Sequence, residues 1–196
     1  MKRFVSIATF IAAFLFLVSC GNGSQKLKMS NTQINTEILG LKLGEVSDEN
    51  AIKKAISKEI DKEVLWDLYK VGIGTTVRVV PMLSDVNYEG LTWSYVDVTL
   101  NEEKQIVQIT IVASDDNFEK SKDQFEAATK IFNQKYGKGN TYQEQQYVVW
   151  TDGTSYVDLT LEESNETVGN DRFFCSLSYV NIELGNAFDE ANSSEF

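Results

Sequence analysis

The sequence predicts an α+β fold built from two tandem repeats, each a helix followed by an antiparallel sheet, with the helices packed on one sheet face. A heptapeptide supports this, because SYVDVTL at residues 94–100 returns as SYVDLTL at residues 155–161. A Gly-x-Gly segment at residues 72–74 also returns, at residues 137–139. Helix, glycine pair and strands follow in the same order in both halves, which is typical of a duplicated unit whose helices cover a sheet.

In the first half, apolar residues at helical spacing predict a helix over residues 48–60, with Ser47 as its N-cap. Residues 63–71 are compatible with a short helix or a strand, and a helix ending at Gly72 is favoured. Alternating apolar and polar residues predict three strands in this half. They cover residues 75–82, 91–100 and 105–113.

In the second half, a long helix is predicted from Asp116 to Tyr136, ended by Gly137. The Asp152-Gly153 dipeptide predicts a tight hairpin between two of the strands that follow. These strands are predicted at residues 144–151, 154–161 and 172–180. The alternation of the last strand places Cys175 on an apolar face, where it is expected to be a buried hydrophobic residue rather than a reactive thiol.

These elements divide the chain into five segments. They are a signal peptide at 1–19, a cysteine and flexible tether at 20–35, a first repeat at 36–113, a second repeat at 114–182, and an acidic tail at 183–196 that is expected to fray.

The first segment has the features of an export signal. Lys2 and Arg3 precede a mostly apolar run at residues 4–18, which is short for a membrane-spanning helix. The run ends in Leu17-Val18-Ser19-Cys20, and here the sequence resembles a bacterial lipoprotein signal peptide with its lipobox.

The resemblance implies that the Cys20 thiol receives a diacylglycerol, that cleavage occurs before Cys20, and that the new amino group is acylated too. Two or more acyl chains anchor a protein stably without a spanning helix. Gly21 in place of an aspartate implies the outer membrane, with the domain facing the periplasm. Loss of Lys2 and Arg3 would change the net charge from −11 to −13, and this acidic balance argues against a nucleic-acid partner.

The body of the chain, over about residues 36–182, resembles the periplasmic β-lactamase-inhibitor-like and BamE/SmpA-type lipoprotein modules in its order of elements. The resemblance implies helices packed against an antiparallel sheet. It also implies a role in binding proteins or envelope components rather than in catalysis.

Composition narrows the possible chemistry. The chain has no histidine and two cysteines, which excludes histidine-dependent triads and four-cysteine zinc sites. The glycine pairs follow predicted helices, whereas a phosphate loop precedes one. The acidic segments at 115–117 and 152–153 lack the spacing of a calcium loop. We therefore predict no catalytic residue, no metal and no cofactor, while a pair of carboxylates acting as in a glycosidase stays open.

The repeated strands carry the candidate binding residues. Their valines and leucines alternate onto one face, which is expected to contact the helices, so that the opposite face carries aromatic and acidic side chains. Ordinary strand composition would also account for tyrosine and threonine here. The candidate partner-binding surface consists of Trp93, Tyr95, Asp97, Tyr156 and Asp158.

Three functions are consistent with these features. The first is a non-enzymatic cell-envelope lipoprotein that binds a protein or ligand through its outer sheet face. The alternatives are a carboxylate-dependent hydrolase of envelope polymers and a structural adaptor of an outer-membrane assembly. An exposed edge strand or apolar patch would favour the adaptor.

Overall fold

The computed structural model describes residues 27–82, 84–142, 146–164 and 172–194. The predicted signal peptide and Cys20 lie outside the described residues. Three helices are present within the described residues: α1 (Glu49–Ile60), α2 (Phe118–Tyr136) and α3 (Ile182–Ser194). None of these helices combines the length and the apolar character that a membrane span requires.

Eight of the strands form one antiparallel sheet in the order β3-β4-β7-β8-β12-β11-β10-β9. Two small hairpins, β1–β2 and β5–β6, lie outside it. The strands of the large sheet are β3 (Val64–Val71), β4 (Gly74–Pro81), β7 (Tyr95–Leu100), β8 (Ile106–Asp115), β9 (Asn140–Tyr142), β10 (Tyr147–Thr151), β11 (Ser155–Ser164) and β12 (Arg172–Asn181). Those of the hairpins are β1 (Glu37–Ile38), β2 (Leu41–Lys42), β5 (Val86–Tyr88) and β6 (Leu91–Trp93).

The prediction of two tandem helix-plus-sheet repeats is wrong. Strands β8 and β12 pair over eight residues in the middle of the sheet, from Phe173 opposite Asp115 to Val180 opposite Gln108. Strands from both halves of the chain therefore share one hydrogen-bond ladder and one core, and the predicted boundary at residues 113–114 falls inside β8. The repeated heptapeptides mark two internal strands of this sheet, β7 and β11, rather than two separable units.

The helices also do not all lie on one side of the sheet. Helices α1 and α2 cover the face that carries Val96 and Val157, which are both fully buried. Helix α3 packs at the end of the opposite face, where the Phe188 ring occupies the space above Gly74. We call the face opposite α1 and α2 the outer face. The predicted fraying tail is thus largely a helix.

Local signals explain where α1 and α2 begin and end. The Asp48 carboxylate accepts a hydrogen bond from the Ala51 amide at the start of α1, and so Asp48, not Ser47, is the N-cap. Asn117 caps α2 by accepting from the amides of residues 119 and 120. Gly137 ends α2 with a φ of 84°, a conformation that favours glycine.

Residues 64–71, where a helix was favoured, form strand β3. The segment alternates, with Val64, Trp66 and Leu68 opposite β4 residues of the helix side, and Leu65 opposite Val80 on the outer face. Residues 72 and 73 make a two-residue hairpin turn into β4, and Gly72 adopts a φ of 55° there. Gly72 is therefore a turn residue and not a helix C-cap.

The predicted flexible tether is in part docked. Ile34 is buried in the core, and its amide donates to the Asp152 carboxylate at 2.7 Å. The Lys28 amide donates to the Asn140 side chain, and the Ser30 amide donates to the Thr151 carbonyl. The chain therefore enters the domain at the β9–β10 side of the sheet.

Candidate binding site on the outer sheet face

A row of polar side chains crosses the outer face from β3 to β11. The strand register places Asp67, Arg78, Asp97, Thr110, Ser178 and Asp158 opposite one another on six successive strands. Hydrogen bonds join neighbours in the middle of the row, where the Thr110 hydroxyl donates to the Ser178 hydroxyl at 3.1 Å. The two ends of the row have different chemistry.

Arg78 is the centre of the first end. Its Nε and Nη2 atoms donate to the two carboxylate oxygens of Asp97 at 2.8 and 2.7 Å. The Tyr69 hydroxyl donates to the same carboxylate at 2.8 Å. The guanidinium carbon lies 4.3 Å from the centre of the Tyr95 ring and 5.3 Å from that of Tyr69. A bidentate ion pair between two aromatic rings holds the arginine in one position.

The electrostatics of this cluster follow from its burial. Asp97 is only 5% exposed, whereas about a third of the Arg78 side chain reaches solvent. The hydrogen bonds to Asp97 raise the pKa of Arg78, so its charge is fixed. Burial raises the pKa of Tyr95 to about 12 and raises that of Tyr69 as well, so both rings remain neutral.

Apolar side chains border the cluster. Leu65 is 59% exposed, and its cross-strand partner Val80 is 36% exposed. Both lie on the outer face, as does Tyr95, the residue of β7 next to Val96, which pairs with Val79. Together, the exposed and half-buried outer-face residues at this end form what we call the Arg78 patch. It consists of Leu65, Asp67, Tyr69, Arg78, Val80 and Tyr95.

Asp158 occupies the other end of the polar row. Burial raises its pKa to about 7, although hydrogen bonds from Ser178 and Tyr147 act in the opposite direction. The Tyr147 hydroxyl is 3.5 Å from the Asp158 carboxylate. Burial also raises the pKa of Glu162, which lies on the same face of β11. With a pKa of about 7, the Asp158 carboxyl is about half protonated at neutral pH.

The five predicted surface residues do not form one cluster. Tyr95 is part of the Arg78 patch, and Asp97 lies beneath the patch. Tyr156 and Asp158 are also on the outer face, but they belong to β11. Strands β8 and β12 separate β11 from β7, so the two pairs of residues are roughly 14 Å apart. Tyr156 is only 4% exposed.

Trp93 was wrongly placed on this surface. It is 1% exposed and belongs to the core on the helix side, where its indole nitrogen donates to the Tyr88 carbonyl. The predicted strand 91–100 is interrupted at Ser94, between β6 and β7, and so the alternation does not continue from Tyr95 back to Trp93. The β5–β6 hairpin, which precedes β7, lies outside the large sheet. The Thr92 carbonyl of β6 accepts a hydrogen bond from the Gln124 side chain on α2.

Sequence reasoning missed Tyr69 and Arg78. Tyr69 was overlooked because a helix was favoured over a strand for residues 63–71, and a helix gives no sheet face. Arg78 was within a predicted strand, and its alternation with buried Val77 and Val79 was a usable signal that it faces away from the core.

The described residues show little sign of nucleophilic or metal chemistry. Cys175 is fully buried, as predicted, and burial raises the pKa of its thiol to about 12. No group of three acidic or cysteine side chains within the described part of the chain is placed to hold a metal ion. A groove along α2 contains one carboxylate, Glu126, and lies on the other side of the sheet from Asp158.

Comparison of the chain with protein-family models, with curated proteins and with solved structures found no match.

Proposed function

We propose that this chain is a non-enzymatic cell-envelope lipoprotein that binds a partner protein through the Arg78 patch. The observation that carries the proposal is the stack of Tyr95, Arg78 and Tyr69 on buried Asp97, bordered by exposed Leu65 and Val80. Tyrosine and arginine are enriched in binding hot spots. Because these side chains are already fixed in the free protein, binding costs little side-chain entropy.

The charges of the patch favour a basic or hydroxyl-rich partner surface. The Arg78 charge is matched by Asp97, whereas Asp67 is exposed and its carboxylate accepts only from the amide of its neighbour Leu68, among the hydrogen bonds of the described residues. The chain as a whole carries a net charge of −11. Complementary charge of this kind speeds association and selects the partner more than it adds affinity.

The proposed anchor is consistent with the position of the patch. Eight peptide units separate Cys20 from Lys28, and eight units span at most about 28 Å. The Lys28 amide donates a hydrogen bond to the Asn140 side chain on β9. Strand β3 is at the opposite edge of the sheet, seven strand spacings or about 34 Å away. A lipid on Cys20 would therefore hold the β9 side near the membrane and leave the patch available to another protein.

The hydrolase alternative receives less support. It needs two carboxylates facing each other across a cleft. Asp158, with a pKa of about 7, has the protonation behaviour of a general acid, but two of its neighbours, Ser178 and Tyr147, bond to it within the sheet surface. The adaptor alternative is favoured by a separate feature, the exposed edge strand β3.

The binding proposal predicts a cross-link that depends on Tyr95. With a photo-reactive amino acid in place of Val80, illumination of intact cells should yield a discrete adduct with one envelope protein. Tyr95→Ala should reduce this adduct about 30-fold, which corresponds to a hot spot of about 2 kcal/mol. Phe118→Ala is the matched control, because Phe118 is a solvent-exposed aromatic residue on α2, away from the Arg78 patch. Equal adduct yields from the two variants, with thermal unfolding unchanged, would contradict the proposal.

The anchor proposal predicts a specific mass. The protein extracted from membranes should begin at Cys20 and carry acyl chains, and Cys20→Ala should abolish both the acylation and the membrane association, because the thiol is the acyl acceptor. Intact-mass measurement decides the matter. An unmodified chain that begins at Met1 would show that the lipoprotein interpretation is wrong.

A further inference from the structure

Strand β3 is an unusually open edge of the sheet. It has eight residues and, within the described residues, pairs only with β4, whereas the opposite edge strand, β9, has three residues. A long edge strand presents a row of unpaired amide and carbonyl groups that can pair with another chain.

Apolar exposure is concentrated at the same edge. Of the eight large apolar side chains that are exposed among the described residues, five belong to β3 and β4 or follow directly after them. They are Leu65, Trp66, Leu68, Val80 and Met82. Trp66 and Leu68 lie on the helix side of the sheet, with 41% and 39% of their surfaces exposed. Apolar surface on both faces of an edge strand is typical of an interaction site.

The hydrogen-bond pattern identifies which amides point outward. The Met82 amide donates to the Glu63 carbonyl, so the odd-numbered residues of β3 bond to β4. The even-numbered residues, 64, 66, 68 and 70, therefore direct their amides and carbonyls away from the sheet. Leu68 agrees with this, because its amide bonds to the side chain of Asp67 and not to β4.

We propose that β3 pairs antiparallel with β3 of a second copy of this chain, about a two-fold axis that passes through Leu68. An axis normal to the sheet keeps each residue on its own face, so that even-numbered residues meet even-numbered ones. In this register Leu68 faces Leu68 and Trp66 faces Lys70 of the other copy on one side of the sheet. Leu65 faces Val71, and Asp67 faces Tyr69, on the outer side.

The pairing of side chains selects both the occupant and the register. Each exposed apolar residue of β3 meets an apolar residue or, for Trp66, a lysine that can lie over its ring. No pair brings like charges together. The register centred on Asp67 would instead oppose two carboxylates directly, which is destabilising. The strand is thus complementary to itself in the register centred on Leu68.

Asp67 controls access to this edge. Its carboxylate oxygen is 2.8 Å from the Leu68 amide nitrogen, which is the central donor of the proposed pairing. Pairing must exchange this bond for one to the Leu68 carbonyl of the other copy. Loss of the Asp67 carboxylate is therefore expected to favour association.

Pairing would join the two outer faces into one surface and bring the Arg78 patches to either side of the two-fold axis. The two β9 strands would then lie at opposite ends of the joined sheet. The inference goes beyond the proposed function, because it requires neither a partner protein nor acylation of Cys20.

A symmetric disulfide tests the inference directly. Leu68→Cys places two thiols across the axis with Cα atoms about 5.5 Å apart, within the range that a disulfide bridges. Leu65→Cys is the matched control on the same strand. Leu65 is more exposed than Leu68, but in this register its copies are about 20 Å apart. Mild oxidation of intact cells that express the full chain, followed by non-reducing electrophoresis, measures both.

We expect a cross-linked dimer from Leu68→Cys at a rate at least ten times that from Leu65→Cys, and a further increase when Asp67→Ala is added. Equal rates for the two cysteines would show random collision and overturn the inference. A disulfide adduct of Leu68→Cys with a different protein would also overturn it, because the edge would then have another occupant. Loss of the Val80 photo-adduct in Tyr95→Ala, with the dimer intact, would separate the two proposals.

Discussion

Replacement of Phe132 by alanine is expected to lower the free energy of unfolding by about 3–5 kcal/mol, the usual cost for a fully buried phenylalanine. Phe132 belongs to α2, and its side chain is fully buried between this helix and the sheet. Its ring packs against those of Tyr136, Trp150 and Tyr179, with ring centres 5.6 to 6.3 Å apart. These rings come from α2, β10 and β12, so the cavity would lie where three elements meet and could not collapse easily.

Phe118→Ala on the same helix is the matched control. Phe118 is 37% exposed and makes one edge-on contact with Phe173, so a loss of about 1 kcal/mol is expected. Urea unfolding followed by tryptophan fluorescence measures both variants, since Trp93 and Trp150 are buried. Similar losses of unfolding free energy in the two variants would mean that Phe132 on α2 is not at the centre of the core.

Local signals predicted helices α1 and α2, but neither α3 nor the edge of the sheet. The apolar spacing of α1 and α2 and the end of α2 at Gly137 follow from neighbours in sequence. The ends of both helices were predicted within one or two residues. Strand β3 was missed because its apolar residues include adjacent pairs, such as Leu65 with Trp66, which suit a helix as well as a strand exposed on both faces. Only its pairing with β4 decides between the two.

The candidate site depended on two features that sequence does not show. The break at Ser94 moves Trp93 from the outer face into the core, and no glycine or proline at that point signals it. The contact of Arg78 with Asp97 and Tyr69 requires three strands in one register, and no spacing within any one strand encodes it. Tyr95 and Asp97 were found because β7 alternates without interruption.

The central pairing of β8 with β12 is likewise invisible in the sequence. The two strands are separated by α2 and three other strands, and the repeated heptapeptide directs attention to their neighbours, β7 and β11. A repeat in sequence is compatible both with two separate sheets and with one sheet shared by both halves. The apolar side chains that β8 and β12 contribute to one core, such as Ile109 and Leu177, account for the single sheet.

Arg78→Ala is expected to be the most disruptive change at the surface. It leaves the Asp97 carboxylate, which is 5% exposed, with the Tyr69 hydroxyl as its remaining side-chain donor. Removing one member of a buried ion pair costs about 3–5 kcal/mol. Because Arg78 itself is about one-third exposed, we expect a smaller loss, about 2–4 kcal/mol in the free energy of unfolding by urea.

The two members of the pair should respond unequally. Asp97→Asn should cost less than Arg78→Ala, because the freed guanidinium can turn toward water, whereas the freed carboxylate cannot. The double variant Arg78→Met with Asp97→Asn should recover most of the stability, since it buries no unpaired charge. If Arg78→Ala costs under about 0.5 kcal/mol, the ion pair contributes no more than an exposed surface pair, and the rigid support that we assign to the Arg78 patch is absent. If instead the double variant is stable but loses the Val80 adduct, stability and recognition at this patch are separable, and the arginine acts in partner binding as well as in folding.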